Sequence, residues 1–134
     1  MKSFHLKIAT PDGVVFDGQA ESLLLRTTEG DAEIMAGHME FLSALGTGRA
    51  RLISGGSTRL ASSSGGFVSV KNGEVSVVAT TFEFADEIDI KRARKAKERA
   101  ENAIATNTDR TIEAFLKAKL ARAVSRINVW ELNK

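Results

Sequence analysis

The chain changes pattern abruptly near residue 85, and this change constrains its fold more than any other feature. All eleven glycines lie between Gly13 and Gly73, and the rest of the chain contains none. Short apolar segments separated by glycine turns are typical of β domains, whereas a long segment without glycine or proline favours helix. The sequence therefore predicts a β domain over residues 1–85 and a helical domain over residues 86–134.

Within the first part, apolar and polar residues alternate over residues 4–8, as in a strand with one buried face. Residues 11–13, Pro-Asp-Gly, have the composition of a turn. Residues 14–16 and 23–25 are short apolar segments that we interpret as buried strands. Many short strands with frequent turns predict a sandwich or a barrel.

The strongest local signal is an Asn-Gly pair, the preferred type I′ hairpin turn, at Asn72-Gly73. If residues 68–77 fold about this turn, Lys71 lies opposite the oppositely charged Glu74. The next three pairs then match valine with valine, serine with serine, and valine with valine. A slip of one residue would destroy every match, so the register is well specified.

In the second part, Asp86 is predicted to cap a first helix over residues 88–104, and Thr108 or Asp109 to cap a second helix that ends near Trp130. Small residues recur at helical spacing in both and predict an antiparallel hairpin packed along two seams: Ala93, Ala96, Ala100 and Ala103, and Ala114, Ala118, Ala121 and Ser125. A further apolar face of the second helix must meet the β domain or another protein: Ile112, Leu116, Leu120, Ala123 and Ile127.

Charge also divides the chain in two. Residues 1–85 hold seven Lys and Arg against nine Asp and Glu, and residues 86–134 hold twelve against eight. An acidic front and a basic tail indicate two parts with different partners. The chain has no cysteine, which excludes disulfides and thiolate sites, and no apolar segment long enough to insert in a membrane.

Patterns for catalysis and nucleic-acid binding are weak. His5 and His38 stand apart and predict neither a metal cluster nor a catalytic triad. The pairs Gly55-Gly56 and Gly65-Gly66 lack the Lys-Ser/Thr of a phosphate-binding loop, so we interpret them as turns. The basic tail has mixed charges and few aromatic residues, so a solvated helix face is favoured over a nucleic-acid partner.

One group of charged residues in the tail indicates a binding site more specifically than these patterns do. Asp89, Arg92 and Arg99 project from one side of the first helix, and Arg122 and Arg126 are four apart on the second. Two arginine pairs from a hairpin can converge on an anion such as a triphosphate, because a guanidinium binds two oxygens at once. From spacing alone, a solvated surface with salt bridges is the alternative interpretation.

Three segments together resemble a known family, the epsilon subunits of bacterial F-type ATP synthases, over essentially the whole chain. Residues 29–38 are similar to its glycine-rich segment that contains Pro-Gly-His, and residues 65–78 to its Gly-Gly hairpin. Residues 88–93 match the Ile/Leu-Asp-x-x-Arg-Ala motif that opens its helical tail.

The resemblance implies a ten-stranded β-sandwich followed by an antiparallel hairpin of two helices. It also implies a non-catalytic subunit of the rotor, or central stalk, which couples ion-driven rotation to ATP synthesis. The sandwich would bind the gamma subunit and rest on the ring of c subunits, peripherally, at the cytoplasmic face of the bacterial membrane. In this family the hairpin folds against the sandwich, or extends along gamma to the alpha and beta subunits and blocks ATP hydrolysis.

ATP bound to the folded form favours that form in some members, so the resemblance implies ATP as a regulatory ligand and no required cofactor. The positions assigned in this way are Glu83, Ile88, Asp89, Arg92, Ala93, Arg99, Arg122 and Arg126. Among them, Glu83 stands where ATP-binding members have an acidic residue near the adenine, and the last three match arginines that approach the phosphates or shape the hairpin. With no phosphate-binding loop, such a site would sense ATP rather than hydrolyse it.

A loop at Gly37, His38 and Met39 is implied to contact a partner. The family usually reads Pro-Gly-His-x-Pro here, and Ala36 and Glu40 replace the two prolines. We therefore expect a less rigid loop with an added charge. Two other interpretations of the chain remain: a tail that acts chiefly as an ATP-sensing switch, and a small nucleic-acid-binding protein.

Overall fold

The computed structural model describes residues 2–133. Ten strands form two five-stranded sheets around one core, and two helices follow. This confirms the predicted sandwich and helical hairpin. The elements are β1 (Phe4–Thr10), β2 (Gly13–Ala20), β3 (Ser22–Thr27), β4 (Gly30–Met35), β5 (Phe41–Ala44), β6 (Thr47–Ser54), β7 (Ser57–Ser64), β8 (Phe67–Lys71), β9 (Glu74–Val78), β10 (Thr81–Phe84), α1 (Ile90–Thr106) and α2 (Arg110–Leu132).

The sheets differ in what covers their outer faces. The first sheet has the strand order β2-β1-β9-β8-β5, and the second has the order β10-β7-β6-β3-β4. β1 and β9 are parallel, and the other pairings among the described strands are antiparallel. Helix α2 lies against β6 and β7 of the second sheet. The hairpin therefore covers one side of the sandwich.

The predicted register of the Asn-Gly hairpin is confirmed. Lys71 lies opposite Glu74, and Val68 lies opposite Val77. Asn72 and Gly73 have φ values of 53° and 76°, as a type I′ turn requires. Val68, Val70, Val75 and Val77 are buried in the core, so one face of the hairpin is held by packing as well as by its turn.

Both predicted apolar strands are present, but one of them is less buried than predicted. Residues 23–25 lie on β3 with Leu23 and Leu25 fully buried, as predicted. Val14, by contrast, is 57% exposed, and Val15 and Phe16 are only partly buried. The reason is that β2 is the edge strand of the first sheet and pairs only with β1. The apolar composition of β2 does not reveal that it lies at the edge of a sheet, where its side chains are covered less than those of a central strand.

The start of α1 also differs from the prediction. Asp86 lies in a short 3-10 turn at Ala85–Glu87, and Ile88 follows in an extended conformation with its side chain buried. Asp89 is the residue that caps α1, because its Oδ1 accepts a hydrogen bond from the Arg92 backbone N–H at 3.1 Å. Because Ile88 is buried in an extended conformation, α1 begins at Ile90, two residues later than helical periodicity predicted. The predicted cap at Asp109 of α2 is confirmed.

The helix seams are half as predicted. Ala96, Ala100 and Ala103 of α1 line a groove between the helices, and Leu116 of α2 lines it too. On α2, Ala114, Ala118 and Ala121 are exposed, so the predicted alanine seam on this helix is wrong. Leu116, rather than an alanine of the predicted α2 seam, lies on the α2 side of this groove. The alanine stripe of α2 consequently faces away from α1.

Three contacts hold the hairpin on the sandwich. Val129 is buried in a junction cluster that also contains Leu60, Ala85, Ile88 and Trp130. Buried hydroxyls of Ser62 on β7 and Ser125 on α2 share a hydrogen bond of 2.7 Å. Glu83 and Arg126 form an ion pair. The apolar face of α2 thus meets the β domain near its C-terminal end, whereas Ile112 and Phe115 near its start are about half exposed.

Candidate functional site

Strand pairing positions one acidic residue beside the hairpin. In β10, Phe82 and Phe84 point into the core, so Glu83 between them points outward. Glu83 lies opposite Ser62 in the β7–β10 ladder. Since Ser62 bonds Ser125, the next residue of α2, Arg126, comes beside Glu83. Arg126 Nε donates to Glu83 Oε1 at 3.2 Å.

This ion pair borders a cavity of about 420 Å³ where the sandwich meets both helices. We call it the junction cavity, and Asp89, Arg92 and Ala93 from the first turn of α1 form another of its walls. Three carboxylates and two guanidinium groups surround it. The lining residues are Glu83, Glu87, Asp89, Arg92, Ala93, Ala96 and Arg126.

A second cavity of about 380 Å³, the hairpin groove, runs between the two helices. It adjoins the junction cavity, because Ala96 and Arg126 line both. Four cations and no carboxylate surround it. Its lining residues are Ala96, Arg99, Ala100, Ala103, Leu116, Lys119, Arg122 and Arg126.

The structure therefore brings together most of the residues that the sequence singled out. Seven of the eight predicted ATP positions line the junction cavity or the hairpin groove. Ile88 is the exception: it is 7% exposed and packs in the junction cluster. Its position next to Asp89 means that it holds the start of α1 against the sandwich.

Sequence reasoning missed Glu87 and Lys119. Glu87 lies in the 3-10 turn before α1, where helical spacing carries no information. Lys119 could have been found, because it precedes Arg122 by three residues and Arg126 by seven, which places all three on one face of α2.

The predicted partner-contact loop projects from the sandwich after β4. Gly37 has a φ of 82°, a conformation that favours glycine, and Met39 is 81% exposed. The His38 ring bonds the Met39 carbonyl oxygen at 2.8 Å and packs edge-on against Phe41. Local contacts therefore order His38 while Met39 is left to solvent.

The outer face of the first sheet carries a second candidate surface. Val78 on β9 lies opposite Phe67 on β8 and opposite Ala9 on β1. Ala9 in turn lies opposite Val14 on β2. Leu42 on β5 lies opposite Ser69, two residues along β8 from Phe67. We call these four residues together with Leu42 the apolar row; Leu42 is 73% exposed and Phe67 45%. Apolar side chains that five neighbouring strands place on one outer face are typical of interaction surfaces.

His5 lies on the same outer face, between carboxylates of two neighbouring strands. Its ring nitrogens lie 2.6 Å from Asp17 on β2 and 2.5 Å from Glu74 on β9. The hydrogen bond to Asp17, followed by that to Glu74, raises the pKa of His5 above its usual value. This arrangement links three strands.

Residues 2–133 contain neither a metal-binding cluster nor a membrane-spanning helix. Within them, no group of three or more His, Cys, Asp or Glu side chains could hold a metal ion. Over the same residues, no helix has the length and apolar composition to cross a membrane.

Comparison with known proteins identifies the family. Residues 3–85 match the family model of the β-sandwich domain of the ATP synthase delta/epsilon chain, and residues 86–131 match that of its long α-helix domain. The ATP synthase epsilon chain of Shouchella clausii is 40% identical over 96% of this chain and 96% of its own length. That of Nitratidesulfovibrio vulgaris is also 40% identical, with the same two coverages.

Solved structures agree at the level of the fold. A chain of the Euglena gracilis mitochondrial ATP synthase superposes with a TM-score of 0.77 at 22% identity, over 98% of this chain and 81% of its own. A chain of the Tetrahymena thermophila mitochondrial enzyme superposes with a TM-score of 0.56 at 14% identity, over 98% and 96%. From the family models and the bacterial relatives, the chain belongs to the epsilon-chain family of the F-type ATP synthases, whose members are non-catalytic subunits of that complex.

Proposed function

We propose that the chain works in the central stalk of a bacterial ATP synthase and couples ion-driven rotation to ATP synthesis. The observation that carries the proposal is the match of bacterial epsilon chains over 96% of the chain. The solved assembly from Tetrahymena thermophila is described as a central stalk and c-ring. By analogy, the chain lies at the cytoplasmic face of the membrane as a peripheral part of the complex.

The sandwich is the docking module in this proposal. The apolar row faces away from the hairpin and binds the gamma subunit, because burying it removes apolar surface from water. The loop at Gly37, His38 and Met39 contacts a partner as well, which we take to be the ring of c subunits. The exposed side chain of Met39 suits such a contact, since methionine adapts to irregular apolar surfaces.

Binding to purified gamma subunit tests the docking surface. Leu42→Asp places a charge in the apolar row and is expected to weaken the complex at least tenfold, since a buried unpaired carboxylate is costly. Met35→Asp is the matched control, because Met35 is also exposed but lies on β4 of the second sheet. Equal binding by wild type and Leu42→Asp removes the apolar row from the interface. A well-folded chain that fails to bind gamma contradicts the stalk assignment itself.

The hairpin is the regulatory module, and ATP is its ligand at the junction cavity and hairpin groove. Arginines from both helices surround these cavities, and Glu83 is supplied by the sandwich. A site built from all three elements is complete only when the hairpin lies on the sandwich. ATP that binds only the folded form shifts the equilibrium towards it, by differential affinity.

The folded form is also suited to release. The residues that tie α2 to the sandwich include a serine pair and a partly exposed ion pair, which contribute far less than a continuous apolar interface. Once released, the hairpin extends along gamma to the alpha and beta subunits and inhibits ATP hydrolysis. Removal of residues 86–134 is then expected to raise hydrolysis by the assembled complex; an unchanged rate contradicts the inhibitory role.

Titration of ATP into the purified chain tests the ligand. Arg92→Ala is expected to weaken ATP binding roughly tenfold or more, since it removes charged hydrogen bonds worth about 1.5–3 kcal/mol. Arg110→Ala is the control, because Arg110 is exposed at the start of α2 and lines neither cavity. No binding at millimolar ATP, or equal binding by wild type and Arg92→Ala, rejects this site.

A further inference from the structure

The hairpin groove holds more positive charge than its arginines alone supply. Lys119 lines it together with Arg99, Arg122 and Arg126. At a rise of about 1.5 Å per residue, Lys119 lies about 10 Å from Arg126 along the α2 axis. That direction leads away from the sandwich and from the junction cavity.

Three of these four cations lack an acidic partner. Among residues 2–133, Arg126 is neutralised by Glu83, whereas Arg99, Lys119 and Arg122 take part in no ion pair. Lys117, two residues before Lys119, shows the ordinary situation, since it pairs with Glu113 at 3.2 Å. The groove therefore concentrates unpaired positive charge, which an anionic ligand can neutralise.

The Lys119 side chain also reaches towards an aromatic ring on its own helix. Its Nζ lies 4.8 Å from the centre of the Phe115 ring, one helical turn earlier. Attraction between an ammonium group and an aromatic ring contributes about 0.5–1 kcal/mol at exposed sites. Phe115 is 56% exposed, so its contact with Lys119 gives an apolar side chain on the helix surface a specific role.

The lining becomes more positive from the junction cavity to the hairpin groove. Three carboxylates lie at the junction cavity and none at the hairpin groove. A phosphate chain is attracted more strongly at the hairpin groove, with four cations and no carboxylate, than at the junction cavity, where three carboxylates offset two guanidinium groups. The hydroxyls and amino group of a nucleoside can donate hydrogen bonds to those carboxylates. A bound nucleotide thus lies with its nucleoside at the sandwich and its phosphates towards Lys119.

We propose that Lys119 binds the terminal phosphate and makes the site prefer a nucleoside triphosphate over a diphosphate. The inference rests on the proposed ATP site and adds to it a residue and a basis of selectivity. Because Lys119 is the lining cation of α2 farthest from the junction cavity, only the last phosphate of the chain comes within its reach. Shortening the chain by one phosphate leaves Lys119 without its ligand.

Calorimetric titrations of ATP, ADP and inorganic tripolyphosphate into the full chain test this role. Lys119→Gln is expected to weaken ATP and tripolyphosphate about tenfold and to change ADP affinity less than about twofold. Lys119→Arg keeps the charge and is expected to restore most of the ATP affinity. Lys117→Gln is the matched control and is expected to bind all three ligands as wild type does. Far-UV circular dichroism checks that each variant remains helical.

The outcomes separate the inference from the function on which it rests. Equal losses of ATP and ADP affinity in Lys119→Gln, or no loss, overturn the terminal-phosphate role while ATP binding by wild type still supports the site. Absence of ATP binding by wild type rejects the ATP site, and the role of Lys119 with it. A loss confined to ATP and tripolyphosphate supports the assignment of Lys119 to the last phosphate.

Discussion

Val129→Ala is the sharpest test of what holds the hairpin on the sandwich. Val129 is 1% exposed and lies in the junction cluster with Leu60, Ala85, Ile88 and Trp130. The substitution removes two buried carbon atoms without adding a polar group. Its effect therefore measures apolar packing between α2 and the β domain.

The expected cost follows from the atoms removed. Each buried methylene contributes about 0.8 kcal/mol, so the transfer term is about 1.6 kcal/mol. The cavity left behind adds to this, since surrounding groups relax only in part, which brings the total to about 2–3 kcal/mol. At about 1.4 kcal/mol per factor of ten, the population of released hairpin rises roughly 30-fold to 140-fold.

Urea unfolding followed by tryptophan fluorescence measures this cost at the right place, because Trp130 is the only tryptophan and belongs to the junction cluster. We expect a lower midpoint with an unchanged slope. Val14→Ala is the matched control, since the same atoms are removed where the valine is 57% exposed. If Val129→Ala shifts the midpoint no more than Val14→Ala does, apolar packing at the junction does not hold the hairpin.

Three further predictions concern polar and backbone contacts. The pKa of His5 is raised in the folded protein, so its ion pairs stabilise the fold fully below about pH 6.5, and this stabilisation is lost as the pH rises through the folded-state pKa. His5→Gln should remove this pH-dependent loss of stability. Equal slopes of urea midpoint against pH for wild type and His5→Gln would contradict the prediction. Ser125→Ala should cost about 1–3 kcal/mol by leaving the buried Ser62 hydroxyl unpaired, whereas the double variant with Ser62→Ala should recover most of it; a double variant as unstable as the sum of the two single ones rejects this. Gly66→Ala should destabilise the sandwich more than Gly73→Ala, because an added Cβ at Gly66 would meet the Val78 carbonyl oxygen whereas at Gly73 it meets nothing within 4 Å; similar thermal midpoints for the two variants would refute this.

Much of the fold was predictable because its signals are local. The Asn72-Gly73 turn sets its own backbone conformation, and the matched pairs beside it leave one register. The Asp109 side chain caps α2 through a backbone N–H only two residues away. The sharp loss of glycine near residue 85 separates strands from helices because glycine is costly inside a helix.

The errors arose where distant parts of the chain compete for the same residues. Asp86 and Asp89 are equivalent as capping residues, and burial of Ile88 against the sandwich decides between them. The alanine stripe of α2 looks as suitable for helix packing as that of α1. Which stripe faces the partner helix depends on how larger side chains fill the space between the helices.

The candidate site divides in the same way. Sequence alone placed Asp89, Arg92 and Arg99 on one side of α1, because helical spacing fixes neighbours within an element. Only the tertiary structure brought Glu83 to Arg126, which is 43 residues away. That meeting requires the β7–β10 ladder and the buried serine pair between β7 and α2. Spacing along the chain determines which charges share a face, whereas packing between elements decides which faces meet.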